Sequence, residues 1–139
     1  MVAEDGEVEN NMAYNFLIVD DSAIIRAVVA KTLHMTGFEI GLVLQAANGK
    51  EALDMLEKNW VDIVLADINM PIMTGIELVE HMANSALIKS IPVVIISTER
   101  SETRISELKS KGVRAYLNKP FTPENIKKVL EEIFNGPKV

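Results

Sequence analysis

The sequence predicts an α/β protein, a doubly wound sheet of five parallel strands accompanied by five helices. Three observations carry that expectation. Five short apolar segments alternate strictly with five helix-like ones along 139 residues. The first, third and fourth apolar segments are near-continuous runs rich in β-branched residues, the pattern of parallel strands covered on both faces. The helix-like segments place apolar residues three and four apart, which gives each one buried face. Crossovers between such strands should be right-handed.

The first strand is Phe16-Leu17-Ile18-Val19, ending on Asp20-Asp21-Ser22. Helix one covers about 22–35, with Ile25, Val28, Val29 and Leu33 on its stripe, and Gly37 stops it. The second strand lies within 40–46. Asn48-Gly49 turns the chain into helix two, with Ala52, Leu53 and Leu56 inward. The third strand, Ile63-Val64-Leu65-Ala66, ends on an acid, Asp67, and a loop runs from Met70-Pro71 to Thr74-Gly75. Helix three covers about 75–84 and carries Ile76, Leu78, Val79 and Met82. Pro92-Val93-Val94-Ile95-Ile96 is the fourth strand, ending on Ser97-Thr98. Helix four covers about 101–111, closed by Gly112, with only Ile105 and Leu108 as large apolar anchors. Strand five is Ala115-Tyr116-Leu117, ending on Asn118-Lys119-Pro120. Helix five has Thr122 as N-cap and Pro123 at its first position. Its face is Ile126, Val129, Leu130, Ile133 and Phe134, and Gly136-Pro137 ends it.

Composition bounds the function. At 48 % hydrophobic and 24 % charged residues the chain is an ordinary globular mix, long enough for one core. Residues 1–14 read as an acidic disordered tail, 15–136 as one domain and 137–139 as a C-terminal tail. With no Cys there is no disulfide framework or thiolate metal site, which points to a reducing compartment, the cytoplasm. No apolar run approaches the ~18 residues of a membrane span. The acidic N-terminus does not read as a secretory signal. The net charge is −6, and Glu4, Asp5, Glu7 and Glu9 supply most of it. That acidity argues against nucleic-acid binding, which needs a cationic surface.

Sites in an open parallel sheet form outside the carboxyl ends of its strands. There the sequence places Asp20, Asp21, Asp67, Ser97, Thr98 and Lys119. Each has a plain structural use: a helix cap for Asp21-Ser22, a loop acid for Asp67, a backbone-bonded hydroxyl for Ser97, a solvated Lys119. Together those uses are a poor account, because three close carboxylates repel unless something positive sits among them. Mg²⁺ (or Mn²⁺), a hard cation that takes oxygen ligands, answers that need, with Lys119 as a further fixed charge. Such a constellation suits phosphoryl transfer, with an Asp as nucleophile and metal and Lys neutralising the phosphoryl oxygens.

The motifs "FLIVDDS" (16–22), "VLADINMPIMTGIEL" (64–78), "IPVVIISTE" (91–99) and "AYLNKPF" (115–121) resemble the response-regulator receiver domain, most closely its single-domain chemotaxis type, CheY-like. The resemblance covers about residues 14–135. It implies a flavodoxin-like sheet of strand order 2-1-3-4-5. It implies that Asp67 is the phosphoacceptor of a two-component system, charged by a sensor histidine kinase. Asp20, Asp21, Asp67 and the backbone carbonyl of Asn69 would hold Mg²⁺. Lys119 would contact a phosphoryl oxygen, Ser97 would be the switch hydroxyl and Tyr116 the switch aromatic. The bond before Pro120 should be cis. Asn69, Thr98 and Glu99 would tune dephosphorylation. Thr98 departs from the usual Ala or Gly, and its β-branch should narrow water's access and lengthen the phosphoryl lifetime.

The same resemblance implies a switch rather than a turnover enzyme, with self-catalysed phosphoryl transfer and autodephosphorylation. It would act as a monomer through the face formed by helix four, strand five and helix five, on a downstream protein target or a relay His domain. Bases there (Arg100, Arg104, Lys109, Lys111, Arg114, Lys127, Lys128) interleave with Glu residues, a mixed-charge protein-binding face. Three other readings compete. An Asp-nucleophile phosphohydrolase would need a second acid near the nucleophile, where Asn69 stands. A cofactor-binding flavodoxin-like module would set Asp20 and Asp21 against phosphate. A degenerate scaffold would not need the full Asp/Asp/Asp/Ser/Lys set. His34 and His81 have no partner at ligand spacing and read as structural or solvated.

Overall fold

A computed structural model describes residues 13–135. Most of the expected acidic tail, the Gly136-Pro137 stop and the residues after it lie outside the described residues. In chain order the elements are β1 (Tyr14–Val19), α1 (Ala23–His34), β2 (Ile40–Ala46), α2 (Gly49–Lys58), β3 (Ile63–Ala66), α3 (Gly75–Ala83), β4 (Val93–Ser97), α4 (Glu102–Ser110), β5 (Ala115–Asn118) and α5 (Pro123–Leu130). One π-helical turn, Glu131–Asn135, follows α5. The strands form a single sheet in the order β2-β1-β3-β4-β5, every neighbouring pair parallel. This is the fold class and strand order expected from the sequence.

Local chemistry explains where the helices begin. Ser22, Asn48, Thr74, Ser101 and Thr122 each cap a helix by accepting a backbone N–H three residues on. Thr74 with Glu77, and Thr122 with Asn125, close reciprocal capping boxes. Gly37 and Gly112, just beyond α1 and α4, take positive φ, the left-handed conformation that glycine adopts without steric cost.

The sheet separates two cores. Successive strand residues point to opposite faces, so β1 sends Leu17 and Val19 to one side and Phe16 and Ile18 to the other. The first core packs Leu17, Val64, Ile95, Leu78 and Leu108 under α2, α3 and α4. The second packs Phe16, Leu65, Leu33, Ile126 and Leu130 under α1 and α5. This two-sided burial is why β1, β3 and β4 read as continuous apolar runs. Each such side chain contributes about 1.5–3 kcal/mol on burial.

Three details differ from the sequence expectation. On α1 the buried residues are Val29, Thr32 and Leu33, while Ile25 is half-buried and Val28 is exposed. Thr32 can occupy the apolar stripe because its hydroxyl donates to the Val28 carbonyl at 2.8 Å; an apolar count overlooks a threonine satisfied within its own helix. At the other end of the chain, regular helix stops at Leu130 and the π-helical turn carries Ile133 and Phe134 onto the same core. Phe134 stacks on Tyr14 with centroids 3.8 Å apart and planes 5° apart. Tyr14, placed in the tail by composition, therefore opens β1.

Candidate functional site

Strand order reverses between β1 and β3, and this is the switch point where open α/β sheets place their ligands. The register sets Val19 opposite Ala66, and the Asp67 N–H donates to the Val19 carbonyl at 2.9 Å. The acids that follow these strands are thereby brought level. One carboxylate oxygen from each of Asp20, Asp21 and Asp67 lies within 4.8 Å of the others. Asp20 is buried, Asp67 half-buried and Asp21 exposed. From just beyond β5, Lys119 reaches across, its Nζ 3.1 Å from Asp20 Oδ2 and 3.5 Å from Asp67 Oδ2.

Backbone contacts hold these side chains in place. Asp20 Oδ1 accepts the Ser22 N–H at 2.9 Å, and Asp67 Oδ1 accepts the Ile68 N–H at 2.7 Å. The Lys119 N–H donates to the Ser97 carbonyl at 2.9 Å, and the Lys119–Pro120 peptide is cis. Burial pushes the Asp67 carboxyl above its ordinary value, and Asp20 adds to the rise; Lys119 and the Ile68 amide oppose it. A carboxylate so placed gains from a nearby cation. Three converging hard-oxygen donors, one of them buried, fit a divalent ion such as Mg²⁺ or Mn²⁺ rather than a soft metal. Asn69, whose carbonyl is the proposed fourth donor, lies exposed on the loop after Asp67.

The proposed switch residues sit beside this cluster. Ser97 is buried at the end of β4, and its Oγ accepts the Glu99 N–H at 3.1 Å rather than bonding a member of the acid cluster. Tyr116 is half-buried, and its hydroxyl donates to the Glu99 carbonyl at 2.5 Å. Burial raises its pKa, the neighbouring Ser97 hydroxyl opposing. Thr98 is exposed on the rim, where it lines an apolar cavity of about 380 Å³ with Ile25, Val28, Lys119, Pro120 and Phe121.

Sequence reasoning missed three supporting residues. Gly75 opens α3 against the acid loop: a Cβ there would overlap the Asp67 carbonyl oxygen, and its N–H donates to Ile68 O at 2.8 Å. A glycine directly after a Thr cap was the available signal. Arg26 donates from Nη1 to the Asp20 carbonyl at 2.6 Å and from Nε to Gln45 Oε1 at 2.9 Å. It stands one turn into α1, and helix side chains lean toward the N-terminus, here toward the site. Arg100, read only as one charge of a mixed surface, donates from Nη2 to the Lys119 carbonyl at 3.1 Å.

A family model described as "Response regulator receiver domain" matches residues 16–131. The chain is 36 % identical over 118 residues to the chemotaxis protein CheY1 of Helicobacter pylori, covering 84 % of this chain and 94 % of that one. It is 37 % identical over 124 residues to the chemotaxis protein CheY-3 of Vibrio cholerae, covering 89 % and 94 %. Among solved structures it is similar to the chemotaxis response regulator CheY4 of Vibrio cholerae, with a TM-score of 0.77, 37 % identity and coverage of 87 % and 98 %. It is likewise similar to a CheY-like receiver domain protein of Methanospirillum hungatei, with a TM-score of 0.77, 26 % identity and coverage of 88 % and 94 %.

Proposed function

The chain belongs to the response regulator receiver domain family, and we propose that it is a phosphorylation-activated response regulator of chemotaxis type whose phosphoacceptor is Asp67. One observation carries the reading. Asp67 stands at the switch point of the sheet with Asp20, Asp21 and the Lys119 ammonium converging on it. The chemotaxis assignment draws on relatives of that name, which match most of the chain.

The donor is the phosphohistidine of a sensor kinase. An Asp67 carboxylate oxygen attacks phosphorus, the P–N bond breaks, and its electron pair stays on the imidazole. Lys119, already beside Asp67 Oδ2, meets the negative charge carried by the phosphoryl oxygens. Mg²⁺ held by Asp20, Asp21, Asp67 and the Asn69 carbonyl would supply further neutralisation of those oxygens when bound. Ser97 leaves the Glu99 amide and donates a hydrogen bond from its hydroxyl to a phosphoryl oxygen. Tyr116 responds to the movement of Ser97, and the face of α4, β5 and α5 carries the signal to a downstream protein target or a relay His domain. Later, water attacks phosphorus, orthophosphate leaves and the Asp67 carboxylate is regenerated. Asn69, Thr98 and Glu99 line the approach and set the rate of that step.

The protein is thus a self-catalysing switch rather than a turnover enzyme, and we place it in the cytoplasm as a monomer. Among the described residues no helix is long and apolar enough to cross a membrane. The kinase must bring its histidine to Asp67, so its surface meets the rim where Ile24 and Val28 are exposed. Acetyl phosphate with Mg²⁺ tests the reading. Wild type should take up acid-stable, base-labile label, and Asp67→Asn should not. Equal labelling of the two would overturn it.

A further inference from the structure

The last residue of β4 and the segment that follows it hold Lys119 by both of its main-chain polar groups. The Ser97 carbonyl accepts the Lys119 N–H at 2.9 Å, and Arg100 Nη2 donates to the Lys119 carbonyl at 3.1 Å. Between these two anchors lies Glu99. Its N–H donates to Ser97 Oγ at 3.1 Å, and its carbonyl accepts the Tyr116 hydroxyl at 2.5 Å. Its own carboxylate accepts the Ser101 N–H at 3.0 Å, which ties the segment to the start of α4. Three residues, Ser97, Glu99 and Arg100, therefore join the switch hydroxyl, the switch aromatic and the backbone of the lysine that reaches Asp67.

We propose that Arg100 is a positioning residue for phosphoryl transfer: by holding the Lys119 carbonyl it fixes the reach of the Lys119 ammonium and couples that reach to the segment that moves with Tyr116. This deepens the assignment of Asp67 and rests on it. Lysine has four rotatable side-chain bonds, so its ammonium position depends on a fixed main chain. The Ser97–Lys119 bond holds the amide that precedes Lys119 and leaves the peptide that follows it to other contacts. The Arg100 guanidinium supplies that second point, with a charged donor on a neutral carbonyl. Arg100 makes no hydrogen bond or ion pair with Asp20, Asp21 or Asp67 and reaches them only through Lys119, whose ammonium lies beside Asp20 and Asp67. Its influence falls on the step that needs Lys119.

The test compares wild type, Arg100→Ala and Arg100→Lys on the full chain, with Asp67→Asn as control. Mg²⁺ affinity is read by calorimetry. Beryllofluoride affinity at saturating Mg²⁺ and the rate of labelling by acetyl phosphate report the phosphoryl step. Arg100→Ala should weaken beryllofluoride binding and slow labelling by about three- to tenfold, the scale of one ordinary hydrogen bond lost at an exposed position. Its Mg²⁺ affinity should not fall, since no metal ligand is lost and a loosened Lys119 ammonium competes less for Asp20 and Asp67. Arg100→Lys, which retains one cationic donor, should recover part of the loss. Labelling and beryllofluoride binding unchanged in Arg100→Ala would overturn the proposal. So would a parallel loss of Mg²⁺ affinity, or no recovery with lysine. Absence of labelling in wild type would instead remove the Asp67 assignment, and this proposal with it.

Discussion

At Asp67 burial raises the carboxyl's pKa while Lys119 and the Ile68 amide pull it down, and burial wins. The folded-state value therefore lies above the unfolded one. Between the two the folded chain binds more protons, so stability without metal falls as pH rises through that window. Asp67→Asn keeps the shape and removes the charge. Melted in chelator, it should be more stable than wild type at pH 7, and the gain should disappear as pH drops through the folded-state value. A variant less stable than wild type at pH 7 would contradict this. Ile72, in the loop after Asp67, is the only non-glycine residue with positive φ among those described, at 68°, and its side chain is exposed. A left-handed β-branched residue is strained by about 1–2 kcal/mol. Ile72→Asn should therefore raise stability by about 1 kcal/mol in denaturant unfolding, because asparagine tolerates that region and little burial is lost. Thr98 stands on the rim beside Lys119. If its branch slows attacking water, Thr98→Ala should shorten the phosphoryl lifetime several-fold, and an unchanged lifetime would dismiss that role.

Helices position the site unequally. The first residue of α3, Gly75, fits against the Asp67 carbonyl with no room for a side chain. Gly75→Ala should push the acid loop away from β1, lowering both stability and labelling of Asp67; an unfolding curve and a labelling time course read the two effects. By contrast α4 is lightly held. Only Leu108 is fully buried, Ile105 is half-buried, and the Nε of Arg104 is buried without a hydrogen-bond partner. Few anchors and an unmet donor mean a low local opening energy. Amide exchange should be faster in α4 than in α5, whose Ile126, Val129 and Leu130 are all buried. These elements also mark how far the sequence could be read. Apolar spacing located every helix and strand, because parallel strands and capped helices leave strong local signals. It misjudged Val28, because a threonine bonded within its own helix took the buried place. It did not foresee the π-helical turn, because Ile133 and Phe134 reach the core through either helical form.

Across the whole molecule, one sheet with two cores brings distant stretches of chain to a single edge. The acid cluster was legible in the sequence because acids that end apolar strands must share the carboxyl edge of a parallel sheet. The helpers Arg26 and Arg100 were not, because each acts on a backbone carbonyl, which no side-chain motif encodes; for Gly75 the only signal was its place after the Thr74 cap. As proposed, this edge writes a phosphoryl group onto one carboxylate, Asp67. The direct measurement is borohydride reduction of acetyl phosphate-treated protein followed by peptide mass spectrometry. Hydride converts an aspartyl phosphate to homoserine at the residue that carried it. That mark is expected at residue 67, dependent on Mg²⁺ and absent from Asp67→Asn. A mark at Asp20 or Asp21 instead, or none on any residue, would contradict it.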